Sequence, residues 1–139
     1  MQFGHRIQCL AVRRYGEQPP APVDTGTVDP DQLTDKEAQQ FWPVYDRYTS
    51  ELDKIEDRKF ELLQEYARDY STITDEQADA YIKGRAAVEE SILQLRLKYM
   101  PVFRKVLSGR TAALFTQMDF RLGLVVDLQL ASQVPMIEP

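Results

Sequence analysis

His5 and Cys9 are the only histidine and the only cysteine of the chain, and both fall within its first ten residues. One imidazole and one thiol do not make a nitrogen–sulfur metal set, which needs three or four protein ligands. A Ser–His–Asp or Cys–His arrangement would have to draw on that same histidine, and no glycine-rich phosphate loop is present. Cys9 has no second cysteine to pair with inside these residues. It reads as an unpaired thiol, with an intermolecular disulfide as the alternative. Carboxylates are more numerous. Glu89-Glu90 and Asp53/Asp57 have the spacing of acid/base dyads or hard-cation ligands, yet on a long amphipathic helix the same residues form a solvated face. No catalytic, cofactor-binding or metal-binding residue is assigned, and the chain is expected not to be an enzyme.

What remains are side chains suited to binding. Phe41, Trp42, Tyr45 and Tyr48 follow one another at helical spacing, as core or as a stacking surface, with Trp42 least clearly on the buried stripe. Lys59 and Arg85 each interrupt an apolar stripe, with Glu56, Glu61 and Glu89 near enough in sequence to neutralise them. Either both side chains snorkel to water, or they form a polar contact inside a concave face. The candidate contacts for a bound protein client are Trp42, Tyr45, Lys59, Arg85 and Phe103.

The elements that must position these residues announce themselves by a repeated helix start. Leu33-Thr34-Asp35-Lys36-Glu37 is echoed forty residues later by Ile73-Thr74-Asp75-Glu76-Gln77. In each, the Thr hydroxyl can accept from the N–H three residues on, and Glu37 or Gln77 can reach back to the Thr N–H. The acid after each cap suits the positive end of the helix dipole. Helix one is expected from about Asp35 to Tyr70, with Phe41, Tyr45, Tyr48, Leu52, Ile55, Leu62 and Tyr66 as its apolar stripe and a gap at Lys59. The steps of four and three are those of a coiled-coil seam. At about 1.5 Å per residue it reaches on the order of 50 Å. Helix two is expected from about Asp75 to Leu107, with Ala78, Tyr81, Val88, Ile92, Leu95, Tyr99, Val102 and Val106 inward and Ser108-Gly109 as its stop.

The joint Ser71–Thr74 is short enough to force an antiparallel return, pairing residues whose numbers sum to about 145. Pro43 and Pro101 then lie at one end of the hairpin, and each lacks the N–H of an intrahelical bond, so both helices are expected to kink there into a curved hairpin. Residues 110–134 alternate as a strand would at Leu122, Leu124, Val126, Leu128 and Leu130. They also follow helical steps at Ala112, Phe115, Met118, Leu122, Val125 and Gln129. Length and the lack of a partner strand favour a helix, at a cost of about 1 kcal/mol for Gly123. That helix is apolar almost all round. Two hairpin helices cannot cover it, so a second copy of the chain is expected to. The fold class expected is therefore all-α: a long kinked antiparallel helical hairpin plus a C-terminal apolar helix, dimeric, over residues 33–134. A flexible arm (1–32) rich in Pro19, Pro20, Pro22 and Pro30 precedes it, and a tail (135–139) follows.

The chain has 139 residues, 43% hydrophobic and 28% charged, with a formal net charge of −5, in line with one globular domain of amphipathic helices. The negative balance argues against a general nucleic-acid binder. Arg6, Arg13 and Arg14 read as solvated charge or as a small anion-facing cluster. No stretch approaches the roughly 20 apolar residues of a membrane span. The short run Ile7–Val12, flanked by arginines, does not form a signal peptide.

The twice-used L/I-T-x-x-E/Q box resembles the LTxxQ signature of the Spy/CpxP-like family of small exported bacterial helical stress proteins. The frame Phe41-Trp42-Pro43-Val44-Tyr45, the stretch Lys98-Tyr99-Met100-Pro101-Val102-Phe103-Arg104-Lys105-Val106-Leu107 and the tail Phe115–Gln133 extend the likeness to that family's poorly characterised FWP-containing relatives. It covers about residues 33–134. Ile73 stands where the box has Leu, and Glu37 where it has Gln. The resemblance implies an all-helical, often dimeric periplasmic protein acting as an ATP-independent chaperone or stress-response binding protein. The helical part has no histidine for the metal-linked roles of some members, and without a signal peptide the alternative compartment is the cytoplasm. The expected partners are protein clients, or else one regulatory protein such as a sensor or transcription-associated factor docked by the hairpin. No cofactor is expected.

Overall fold

The computed structural model describes residues 33–137; the arm with His5, Cys9 and its arginines, and the last two residues, lie outside the described residues. Three helices follow one another: α1 (Asp35–Asp69), α2 (Asp75–Val106) and α3 (Gly109–Gln133). No strand occurs among the described residues, and the fold is all-α. Local chemistry sets the starts. Glu37 N–H donates to Thr34 Oγ1 at 3.2 Å while Thr34 N–H donates to Glu37 Oε2 at 3.0 Å. Gln77 and Thr74 repeat the exchange at 3.2 and 2.9 Å. Both capping boxes are complete, and each satisfies donors that the first helical turn leaves without an intrahelical partner.

The end of α2 departs from expectation. Ser108-Gly109 is not a helix stop but the start of α3. Ser108 is its N-cap, accepting from Thr111 N–H at 3.2 Å, and Gly109 is its first residue. The chain leaves α2 through Leu107, whose extended backbone (φ −125°, ψ 148°) breaks the helix and whose side chain is buried. An apolar anchor followed by a capping serine makes the corner.

α1 and α2 run antiparallel. Ring contacts pair Phe41 with Phe103 and Tyr66 with Tyr81, sums of 144 and 147 that match the register expected from the short joint. Both helices continue through their prolines, Pro43 and Pro101, which lie exposed. Water can then serve the carbonyls that each missing N–H leaves open. α3 returns beside both, antiparallel to α2 and parallel to α1. Asp119 meets Tyr48 and Arg96, Asp127 meets Lys59, and Tyr66 donates to the Pro135 carbonyl at 2.8 Å.

The core is richest where α2 hands over to α3. Phe41, Tyr45, Tyr48, Tyr99, Phe103 and Phe115 are all buried together, with Phe103 and Phe115 ring centroids 4.6 Å apart and Phe41 and Phe115 5.4 Å apart. Edge-on and tilted arrangements of this kind add roughly 0.5–1.5 kcal/mol per pair beyond area burial. Further along α1 the buried stripe runs Ile55, Lys59, Leu63, Tyr66 rather than through Leu62. Steps of four, four and three carry the core face straight through the lysine, so Lys59 occupies the stripe instead of interrupting it.

Candidate functional site

Beyond Ile55 lies a cleft of about 450 Å³, with walls from all three helices and the segment after α3 that include the stacked rings of Tyr66 and Tyr81. Leu63, Ile82, Leu130 and Met136 line it, and Lys59, Arg85 and Asp127 form its polar side. The spacing that brought Lys59 and Arg85 to one level of the hairpin is thus realised.

Their environments differ from expectation. Lys59 does not snorkel: the residue is 2% exposed. Its ammonium donates to Asp127 Oδ1 at 2.7 Å and lies 2.7 Å from Glu56 Oε2, an ion pair off the hydrogen-bonding direction. Burial alone pushes its pKa down. The Asp127 hydrogen bond and the nearby charges of Glu56 and Asp127 outweigh that, so the amine stays charged and its pKa stands above the ordinary lysine value. A buried ammonium with one carboxylate from its own helix and one from α3 is a tie between helices. Arg85 is half-buried. Its Nη2 pairs with Glu89 at 3.2 Å, and its Nη1 is shielded from water without an acceptor.

Of the other expected contacts, Tyr45 and Phe103 are 4% and 5% exposed and belong to the aromatic core. Their steps from Phe41 and Tyr99 place them on the packing face of their helices. With Lys59 they are interior groups in this conformation and present no surface to a client, which corrects the expectation for three of the five. Trp42 is partly buried, packed on the rim of the core with its ring 4.9 Å from Phe41. Thr34, Glu37, Thr74 and Gln77 cap as expected.

A second polar tie lies toward the aromatic end. Tyr48 donates to Asp119 Oδ2 at 2.8 Å, and Arg96 Nε donates to the same oxygen at 3.2 Å. Burial, reinforced by the Asp119 charge, raises the Tyr48 pKa far above that of free tyrosine. Asp119 and Asp127 escaped the sequence expectation. Two acids eight residues apart on an otherwise apolar helix were the available signal, because helical spacing sets them two turns apart.

The outer surface is notably apolar. Leu93, Leu97 and Met100 on α2 are 49–54% exposed, and Phe120, Leu124 and Leu128 on α3 are 46%, 69% and 72% exposed. Each set repeats by three or four and so forms one row per helix. Arg96, between the rows, sits 4.5 Å over the Phe120 ring. Among the described residues there is no cluster of three or more metal-ligating side chains, and no helix is long and apolar enough to cross a membrane. No family model, curated protein or solved structure matches this chain.

Proposed function

We propose that this chain is a non-enzymatic, ATP-independent binding protein of chaperone-like or stress-response type. It is homodimeric and periplasmic, as its resemblance to the Spy/CpxP-like proteins implies. The observation that carries the proposal is the pair of exposed apolar rows, Leu93–Leu97–Met100 and Phe120–Leu124–Leu128. Contiguous apolar surface edged by charge marks interaction sites. Rows at helical spacing with Arg96 between them can hold an extended apolar segment weakly and release it without a nucleotide. The client contacts are then Leu93, Leu97 and Met100 of the α2 row, together with Trp42 and Arg85. The outward face of α3 at Leu124 and Leu128 meets a second copy, while the α2 row stays open for clients.

Light scattering of an unfolding client, without ATP, tests this. Suppression at near-stoichiometric ratios is expected, lost in Leu93→Glu/Leu97→Glu with helicity retained. Sedimentation should show a dimer that Leu124→Glu/Leu128→Glu converts to monomer. No suppression by a well-folded sample, with one protein dominating a pull-down, overturns the chaperone proposal in favour of a regulatory module docking a single partner.

A further inference from the structure

α2 carries two stripes, and the fold uses one of them. The inward stripe, Val88, Ile92, Leu95, Tyr99 and Phe103, is buried in the core. The outward stripe is Ala86, Glu90, Leu93, Leu97, Met100 and Arg104, all exposed. Its steps alternate between four and three, the spacing of a seam whose side chains interdigitate with those of another helix. Leu93, Leu97 and Met100 stand half-exposed at its middle, and neither α1 nor α3 covers them.

The charges at the ends of the seam select what covers it. Glu90 precedes Leu97 by two helical turns and Arg104 follows it by two, both on the same face. The seam is thus acidic at one end, basic at the other and apolar between. A second α2 laid antiparallel, with a two-fold axis at Leu97, sets Glu90 across from the partner's Arg104 and Arg104 across from the partner's Glu90. Leu97 then meets the partner's Leu97, and Leu93 lies beside the partner's Met100. A parallel pair in register would set acid on acid and base on base, which like-charge repulsion opposes. Arg104 donates from Nη1 to the Leu107 carbonyl at 2.9 Å, and a guanidinium has further N–H donors for a carboxylate. A two-fold contact uses the same patch twice, so one acid and one base give two ion pairs.

We infer that the outward face of α2 pairs with the same face of a second copy, antiparallel about Leu97, and that this pairing closes the row to clients. The contact is distinct from the one proposed at Leu124 and Leu128 on α3. The pairing rests on the α2 seam alone; its effect on clients rests on the binding function proposed above. With three apolar residues per copy and ion pairs at its rim, the contact is small. It forms at high concentration and gives way to dilution or to a client that competes for Leu93, Leu97 and Met100.

The test is sedimentation of the full chain over a concentration series, as wild type, Glu90→Arg, Arg104→Glu and an equimolar mixture of the two variants. The wild type should show a concentration-dependent association. Each variant alone sets like charges across both ends of the seam and should weaken that association roughly tenfold. The mixture sets opposite charges there again and should restore it. Register is read in a Cys9→Ser background by oxidising Leu97→Cys and, separately, Leu93→Cys. A residue on the two-fold axis faces its own copy within the Cα separation of about 4.4–6.8 Å that a disulfide needs. Leu97→Cys should therefore cross-link and Leu93→Cys should not. The inference is overturned by the absence of any association that the variants weaken and the mixture restores, or by equal cross-linking at both positions. An excess of unfolding client should suppress the Leu97→Cys cross-link, and a cross-link unchanged while the client is bound overturns the closure. Client protection is scored apart by light scattering, so a failure of the chaperone proposal leaves the sedimentation result intact.

Discussion

At one end of the bundle six rings from three helices shut out water; at the other the same helices close around one ammonium and an open cleft. The aromatic end gains from area and from ring–ring geometry, which are tolerant of small shifts and need no exact partner. The lysine end depends on two carboxylates at 2.7 Å, and a buried charge is stabilising only while its partners stay in place. Most of the stability should therefore reside at the ring end. The cleft end holds the looser packing.

The widest gap should appear on truncation. Phe41 has no exposed surface and touches rings from all three helices. Phe41→Ala should cost about 3–5 kcal/mol in chemical denaturation. Leu63→Ala, at the cleft wall, should cost about 2 kcal/mol, the low end for its type, because the site is already open on one side. Equal losses would mean that the two ends are packed alike.

Alkaline titration sharpens the contrast from the other direction. In the fold the Tyr48 hydroxyl is kept protonated by burial and by its bond to Asp119, so its pKa is raised. The unfolded chain ionises it near pH 10. Its contribution is complete below that pH and is lost as pH climbs above it, by about 2–3 kcal/mol at pH 12. Tyr99, raised by burial and by its bond to Glu51, and Lys59 act in the same sense. Stability should fall steeply above pH 10, less steeply in Tyr48→Phe. A parallel fall in that variant would assign the loss elsewhere.

Lys59→Ala should cost about 2 kcal/mol. Breaking a fully buried pair costs roughly 3–5 kcal/mol; Asp127, 46% exposed, can turn to water once freed, which lowers that cost, while Glu56, 12% exposed, keeps part of it. Combined with Asp127→Ala, the losses should fall short of additive, since each variant removes the same bond. Strict additivity would show that Lys59 is held by Glu56 alone.

These contrasts also explain what the sequence displayed. Thr34, Glu37, Thr74 and Gln77 gave away two helix starts because capping is local chemistry within four residues. The short joint fixed the register of α1 on α2 for the same reason. The role of Lys59 was hidden because its partner on α3 lies 68 residues away, and a lysine in an apolar stripe looks the same paired or snorkelling. Phe103 and Tyr45 fit a buried seam and a client contact equally well in the sequence, because periodicity does not tell a core seam from a groove. Ser108 carried a capping signal, but the glycine after it also suits a helix end, and only the extended Leu107 decides between them.

The smallest effect expected lies beside the cleft, at Gly84 in α2. A methyl there would stand 3.0 Å from both Leu62 Cδ atoms. Leu62 is only partly buried, and its terminal methyls can give by a few tenths of an ångström. In a helix interior, Gly is worth about 1 kcal/mol less than Ala. Gly84→Ala should thus stabilise by about 0.5 kcal/mol, visible as a small rise in Tm. A destabilised variant would mean that Leu62 cannot yield, and that packing beside the cleft is as tight as among the rings.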